Sequence, residues 1–178
     1  NFLQQLSGVA TTAHLYANKI EKYKTQVLDT RKTLPGMRYL QKYAVKCGGA
    51  TNHRIGLYDM VLIKDNHIAL AGGIKEAVKL CRKNVGSKVK IEVECLDLKQ
   101  VQEAVSTDCD WIMFDNMPLA IMKKAIKIVN GKKKTEASGG INLKTIESFA
   151  KVGVDYISSG AITHSYKALD ISARMKIK

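Results

Sequence analysis

The sequence predicts an α/β fold built on a parallel sheet, and three observations carry that expectation. Short β-branched or apolar runs recur along the chain, with stretches of helical periodicity between them. Most of these runs are apolar at successive positions, as strands covered on both faces require. Residues that start and stop helices fall at the junctions: Asp97 and Asn142 where helices should begin, Gly131 and Gly153 just past where they should end. Consecutive β-α units with right-handed crossovers either fan into a doubly wound sheet or curl into a barrel, and periodicity leaves that choice open.

The first expected element is a long helix over residues 2–23, where Phe2, Leu3, Leu6, Val9, Ala10, Ala13, Tyr16, Ala17 and Ile20 recur at three- and four-residue steps. The chain opens in the middle of this pattern at Asn1, with neither an initiator Met nor a signal-peptide core, so an upstream segment is expected. Strands are then expected over residues 26–29, 59–63, 89–93, 111–114, 135–137 and 155–158. Helices are expected over 37–46, 73–84, 98–105, 119–130 and 143–152. No repeat shorter than the β-α unit and no low-complexity tract divides residues 1–178, which read as one domain.

Composition narrows the function class. With 46% hydrophobic residues the chain can build a core, which excludes disorder, and no apolar run reaches the length of a membrane span. Cys47, Cys81, Cys95 and Cys109 are too widely spaced for a C-x-x-C pair and have apolar neighbours, which points to reduced thiols in a cytoplasmic protein. Cys47 and Cys95 read as small core residues. The 29 Lys and Arg against 16 Asp and Glu leave a net charge of +13, which suits anionic ligands. A nucleic-acid-binding module is the alternative, but the lysines are spread over every expected helix with few aromatic residues among them, so nucleic acid is not an expected partner.

Nearly every unusual polar cluster follows the carboxyl end of an expected strand, where α/β enzymes place their sites. Arg31 and Lys32, flanked by Thr30 and Thr33, suit an anion clamp, because a guanidinium fork matches a carboxylate and an ammonium suits phosphate. A solvated loop is the plainer alternative there, as it is for His53 and Arg54. Lys64 directly follows the apolar Met60-Val61-Leu62-Ile63 and should be drawn into the site mouth to meet an anion. Glu94 and Asp115 close successive strands and could share one hydrated Mg2+, or each could cap a turn or pair with a lysine. Ser138-Gly139-Gly140 and Ser159-Gly160 resemble backbone nests that hold phosphate at helix starts. His14, His53, His67 and His164 show no zinc-ligand spacing, and no cysteine has a base nearby in sequence.

These clusters in this order resemble quinolinate phosphoribosyltransferase. The resemblance rests on Asn1 to Thr11, Asp29 to Arg38, Gly48 to Asp59 and Ile63 to His67. It continues through Glu92-Val93-Glu94, Phe114-Asp115-Asn116, Ala137 to Ile141 and Ser159 to His164. It implies an incomplete α/β barrel of the type II phosphoribosyltransferase kind, joining quinolinate to 5-phosphoribosyl 1-pyrophosphate with loss of CO2, a step of NAD biosynthesis. By the same resemblance Arg31, His53, Arg54 and Lys64 would hold the dicarboxylate, and Thr30 and Lys32 the donor. Glu94 and Asp115 would face the ribose and Mg2+, and Ser138, Gly139, Gly140, Ser159, Gly160 and His164 would line the phosphate end. Lys64, Glu94 and Asp115 would carry the chemical step.

Members of that family are homodimers or higher oligomers in which an α/β sandwich domain before the barrel covers the partner's site and donates an arginine. Residues 1–178 are expected to hold the barrel alone, as a portion of a longer protein or with that domain on another chain. Alone this chain is expected to be weakly active or inactive and to expose an apolar patch at Phe2, Leu6 and Val9. A barrel enzyme for a different phosphorylated substrate is the remaining alternative, and two arginines plus Lys64 favour a two-carboxylate ring.

Overall fold

The computed structural model describes residues 1–176. In chain order the elements are α1 (Phe2–Lys19), β1 (Gln26–Leu28), α2 (Arg38–Cys47), β2 (Met60–Ile63), α3 (Asp65–Ala71), α4 (Ile74–Val85), β3 (Lys90–Cys95) and α5 (Leu98–Val105). β4 (Trp111–Asp115), α6 (Leu119–Val129), β5 (Lys134–Ser138), α7 (Ile146–Ala150), β6 (Tyr156–Ser158) and α8 (Ala161–His164) complete them. The six strands form one parallel sheet in the order β1-β6-β5-β4-β3-β2. Neighbours follow chain order from β2 to β6, and β1 returns beside β6, so the sheet curls towards closure without pairing β1 to β2. The result is an incomplete barrel.

Segment 48–59 occupies the open seam. It touches β1 through one parallel bridge, Leu28 to Thr51, with the Thr51 N–H donating to Val27 O at 2.8 Å and the Asp29 N–H to Thr51 O at 3.2 Å. Outward-facing Ile91, Val93, Cys95, Ile112, Phe114, Ala137 and Ile157 are fully buried together with Val101 and Ala104 of α5 and Met122 and Ala125 of α6. The alternate residues of each strand face inward. Near the amino ends of the strands Trp111 stacks on Tyr156 at 4.3 Å, which plugs the barrel below the site.

Two equivalent staples fix the register. Asp110, one residue before β4, accepts from Lys90 Nζ and the Ile91 N–H at the start of β3. Asp155, one residue before β6, accepts from Lys134 Nζ and the Thr135 N–H at the start of β5.

Several expectations are corrected. Strands β3, β4 and β5 run one or two residues past the expected spans, to Cys95, Asp115 and Ser138, which keeps Glu94 and Asp115 at strand ends as read from the sequence. α3 and α8, at seven and four residues, are too short to display a helical period and escaped it. α1 ends at Lys19, where a succession of tight turns begins with the Ile20 N–H donating to Ala17 O. Asp97 caps α5 as expected, accepting from the Gln100 N–H at 2.8 Å. Asn142 does not cap a helix: its Oδ1 accepts from the Lys144 N–H in a turn, and α7 starts only at Ile146. Cys47 is exposed, whereas Cys95 is buried, and that burial pushes its thiol well up.

The apolar patch expected at Phe2, Leu6 and Val9 is also corrected. Val9 is fully buried and Leu6 packs against the core, while Phe2 and Leu3 are exposed. The closing segment lies over α1: the Leu169 N–H donates to Gln4 O, and the Tyr166 hydroxyl to Gln5 Oε1 at 2.8 Å. No described helix is long and apolar enough to cross a membrane.

Candidate active site

A cavity of about 740 Å3 opens at the carboxyl ends of the strands, and its lining includes Thr30, Arg31, Lys32, His53, Arg54, Lys64, Glu94, Asp115, Ser138, Gly139, Gly140, Ser159, Gly160 and His164. All the residues singled out from the sequence therefore meet at one site. They do not all face it in the same way.

The clamp is built on Asp29. This residue ends the first strand run fully buried, and its carboxylate accepts from Lys42 Nζ at 2.6 Å, Asn52 Nδ2 at 2.6 Å and the His53 N–H at 2.8 Å. Burial pushes the Asp29 carboxyl up and the Lys42 ammonium down, and each charge opposes the other's shift. Three donors on one carboxylate favour the ion pair. Beyond Asp29 the chain turns over the rim through Thr30, whose hydroxyl accepts from the Lys32 N–H. Arg31 follows, and its Nε is buried without a partner among the described residues. Arg54 reaches back to Met60 O at 3.1 Å. Burial, and next the positive charge of Arg31, hold the Arg54 guanidinium below its ordinary range. Two like charges near enough to repel, with an unsatisfied N–H on one of them, suit an anion.

His53 lies below the clamp with its ring edge towards Trp111. Its Nε2 is 2.9 Å from Glu92 Oε2 and 3.2 Å from Glu136 Oε2, and both carboxylates are fully buried. Burial opposes a charged ring, but the hydrogen bonds and charges of Glu136 and Glu92 outweigh it and raise His53 to about 10. Burial and repulsion by Glu136 push Glu92 up to about 8 against its bond to His53. The Arg54 N–H donates to His53 Nδ1 at 2.7 Å, so the ring carries its proton on Nε2 and donates to Glu92.

On the opposite arc of the rim Lys64 is half-exposed, not buried in the mouth as its apolar approach suggested. It does meet an anion, since its Nζ lies 3.1 Å from Glu94 Oε2. Its backbone N–H is taken by His67 Nδ1. Burial raises the Glu94 carboxyl, Lys64 lowers it, and the negative charges of Asp115 and Asp65 raise it further. Asp115 accepts from Asn116 Nδ2 at 2.9 Å. Two carboxylates close enough to repel, on adjacent strands with register Glu94 to Met113, have the hard-oxygen chemistry that Mg2+ requires.

The last two strand ends form a glycine-lined corner. Gly139 has φ +102°, and a Cβ there would strike the Asn116 side chain and meet its amide nitrogen, so only glycine fits. Gly140, at φ +60°, leads away from the strand and not directly into a helix. Gly160 does precede a helix, the short α8, and a Cβ on it would lie 2.9 Å from His164 and 3.2 Å from Lys32 Cδ. Thr163 Oγ1 ties this corner to the clamp loop by donating to Lys32 O at 2.8 Å. The Ser159 hydroxyl donates to Ile141 O and its N–H to Leu28 O, so Ser159 braces the corner with its own donors already used.

The family model described as quinolinate phosphoribosyl transferase, C-terminal domain, matches residues 9–174. The chain belongs to the quinolinate phosphoribosyltransferase family. It is 48% identical over 172 residues to a probable nicotinate-nucleotide pyrophosphorylase [carboxylating] of Bacillus subtilis, covering 97% of this chain and 60% of that protein. It is 46% identical to the chloroplastic nicotinate-nucleotide pyrophosphorylase [carboxylating] of Arabidopsis thaliana, covering 98% and 55%. Among solved structures, nicotinate-nucleotide pyrophosphorylase from Francisella tularensis superposes with TM-score 0.92 at 48% identity, covering 95% of this chain and 60% of that one. NadC from Streptococcus pyogenes gives 0.92 at 42% identity, covering 96% and 60%. The chain thus spans 55–60% of the length of these relatives.

Four polar residues in or behind this cavity were not singled out as functional from the sequence: Asp29, Lys42, Glu92 and Glu136. Strand periodicity held a signal for two of them, because Glu92 shares a face with Glu94 and Glu136 with Ser138. Lys42 gave none, since a lysine in a helix reads as solvated, and here it is 2% exposed.

Proposed function

We propose that the protein transfers the phosphoribosyl group of 5-phosphoribosyl 1-pyrophosphate to quinolinate with decarboxylation, yielding nicotinate mononucleotide, pyrophosphate and CO2 for NAD biosynthesis. The observation that carries this reading is the pair Arg31 and Arg54, two repelling guanidiniums with a buried, unpaired Nε, at the rim of a cavity that also holds Lys64. A ring bearing two adjacent carboxylates answers both charges at once, with bidentate geometry available to each fork.

The chemistry follows from what else lines the cavity. Lys32, Gly140, Gly160 and His164 gather cationic and backbone donors where the donor's phosphates would lie. As pyrophosphate departs, the ribose carbon gains oxocarbenium character, and Glu94 and Asp115 stabilise that positive charge while Lys32 draws the leaving anion. Glu94 and Asp115 fit Mg2+, which when bound supplies neutralisation of the pyrophosphate. The pyridine nitrogen attacks the ribose carbon, the resulting pyridinium stabilises the electron pair left on the neighbouring ring carbon as CO2 is lost, and a proton taken from solvent at that carbon completes the product. Lys64, bonded to Glu94, joins the carboxylate-binding side to the ribose side. Free thiols at Cys47, Cys81, Cys95 and Cys109 suit the reducing cytoplasm. Exposed Tyr39, Tyr43 and Tyr58, the first and last with hydroxyls 3.1 Å apart, support assembly into a homodimer or larger oligomer.

Isothermal titration with quinolinate, with nicotinate as the control, tests the reading. Preference for quinolinate is expected. Equal binding of the two rings would move recognition away from Arg31 and Arg54 and sink the dicarboxylate assignment.

A further inference from the structure

The polar groups behind the clamp form a continuous brace that no step of the proposed reaction uses. His53 is committed at every polar point: its N–H donates to Asp29 Oδ1 at 2.8 Å, its carbonyl accepts from Lys42 Nζ at 2.9 Å, Nδ1 accepts from the Arg54 N–H, and Nε2 faces Glu92 and Glu136. Asp29 stands two residues before Arg31, and His53 immediately before Arg54, so one buried carboxylate ties together the roots of both arginine arms. One root follows β1 and the other lies in segment 48–59, and Leu28 to Thr51 is the only ladder contact between them among the described residues.

Helix α2 completes the brace from outside. Arg38 donates from Nε to Thr33 Oγ1 at 3.1 Å and from Nη2 to Arg31 O at 3.3 Å, while its Nη1 lies 3.5 Å from Ile55 O. One turn later, on the same face, Lys42 donates to Asp29 and to His53 O. Burying a lysine and a carboxylate costs stability that an apolar pair would not, so the arrangement is explained by what it holds in place. A two-carboxylate ring has a fixed spacing between its anionic groups. The spacing of the two guanidiniums then decides how well it fits.

Resting on the quinolinate reading, we propose that Lys42 and Asp29 are positioning residues that, through the backbone of His53, set the separation of Arg31 and Arg54, and with it the preference for a vicinal dicarboxylate over a monocarboxylate, without touching the ligand.

Two measurements on Lys42→Met and Lys42→Arg test this. The first needs no ligand: 15N relaxation of arginine Nε–Hε groups. In Lys42→Met the order parameters of Arg31 and Arg54 should fall while that of Arg82, held by Asp108 and Asp110, stays constant, and Lys42→Arg should recover part of the loss. Unchanged Arg31 and Arg54 would overturn the positioning role. The second is isothermal titration with quinolinate and nicotinate, where the ratio of affinities should fall roughly ten-fold or more in Lys42→Met. Equal loss for both rings would mark Lys42 as merely structural. Absence of any quinolinate preference in the unaltered protein would overturn the functional reading, leaving relaxation to decide the positioning. If Lys42→Met does not fold, Asn52→Leu removes another donor to Asp29 and carries the same two comparisons.

Discussion

Arg54 and Lys64 divide binding from chemistry, and their substitutions should differ accordingly. Arg54→Ala removes a carboxylate partner and no phosphate contact, so quinolinate binding should vanish in titration while binding of the phosphoribosyl donor survives. Loss of both would reassign Arg54. Lys64→Ala removes a half-exposed ion pair worth about 0–1 kcal/mol, so thermal unfolding should move little, whereas single-turnover rates should drop sharply in whatever form of the protein is active. The rim residues were legible in the sequence because a charged cluster directly after a buried apolar run, as at Arg31 or Lys64, is unusual on any reading. The brace was not. Lys42 lies in a helix where lysine ordinarily faces water, and its burial depends on Asp29, thirteen residues away, and on a chain fold that brings them together.

At the scale of elements, strands and long helices were legible because period and caps agreed. Asp97 shows the agreement best: Asp97→Ala should cost about 0.5–2 kcal/mol of stability, read as a shift of the denaturant midpoint with the slope unchanged. Where one signal stood alone the outcome differed. Asn142 looked like a cap because it preceded apolar residues, but its side chain closes a turn on Lys144 and delays α7. The glycine-lined corner was legible in residue type but not in geometry, since Gly140 leads into a loop and not a helix. Gly139→Ala should therefore act through the close approach of Asn116: weaker binding of the phosphoribosyl donor, larger than any change in quinolinate binding, measured by titration with each ligand. An unaltered donor affinity would remove the corner from the phosphate site.

For the whole molecule, charge sets both stability and capture. Burial favours the protonated forms of Asp110 and Asp155. The hydrogen bonds of Lys90, the Ile91 N–H and Arg82 to Asp110, and of Lys134 and Thr135 to Asp155, outweigh it and hold both carboxyls below their ordinary value. The resulting stabilisation is present above the ordinary carboxylate value of 3.8 and is lost as pH falls towards the lower folded values. Urea midpoints measured between about pH 5 and pH 2 should thus fall steeply in the unaltered protein and less steeply in Asp110→Asn. A net charge of +13 should likewise make association with the polyanionic donor faster at low ionic strength, visible in stopped-flow rates that decline as salt is added. The α/β class and the β-α succession were legible at this scale, but the open barrel was not legible from periodicity. Strand order depends on which edges meet, and that is a property of the folded wall.

The seam between β1 and β2 gives that wall a property a closed barrel lacks. The girth of a closed barrel is fixed by its hydrogen-bond register. Here circumference can change at one line, where the Thr51 to Val27 and Asp29 to Thr51 backbone bonds and the Asp29 carboxylate's bonds to Asn52 and His53 join β1 to segment 48–59, with every β2-to-β6 ladder intact. The arginine arms sit on the two sides of that line, so any parting there moves them apart against the Asp29 brace. The amides of Asp29 and Thr51 should exchange with deuterium sooner than those of Ile112 and Ala137, and a dicarboxylate spanning both lips should slow them.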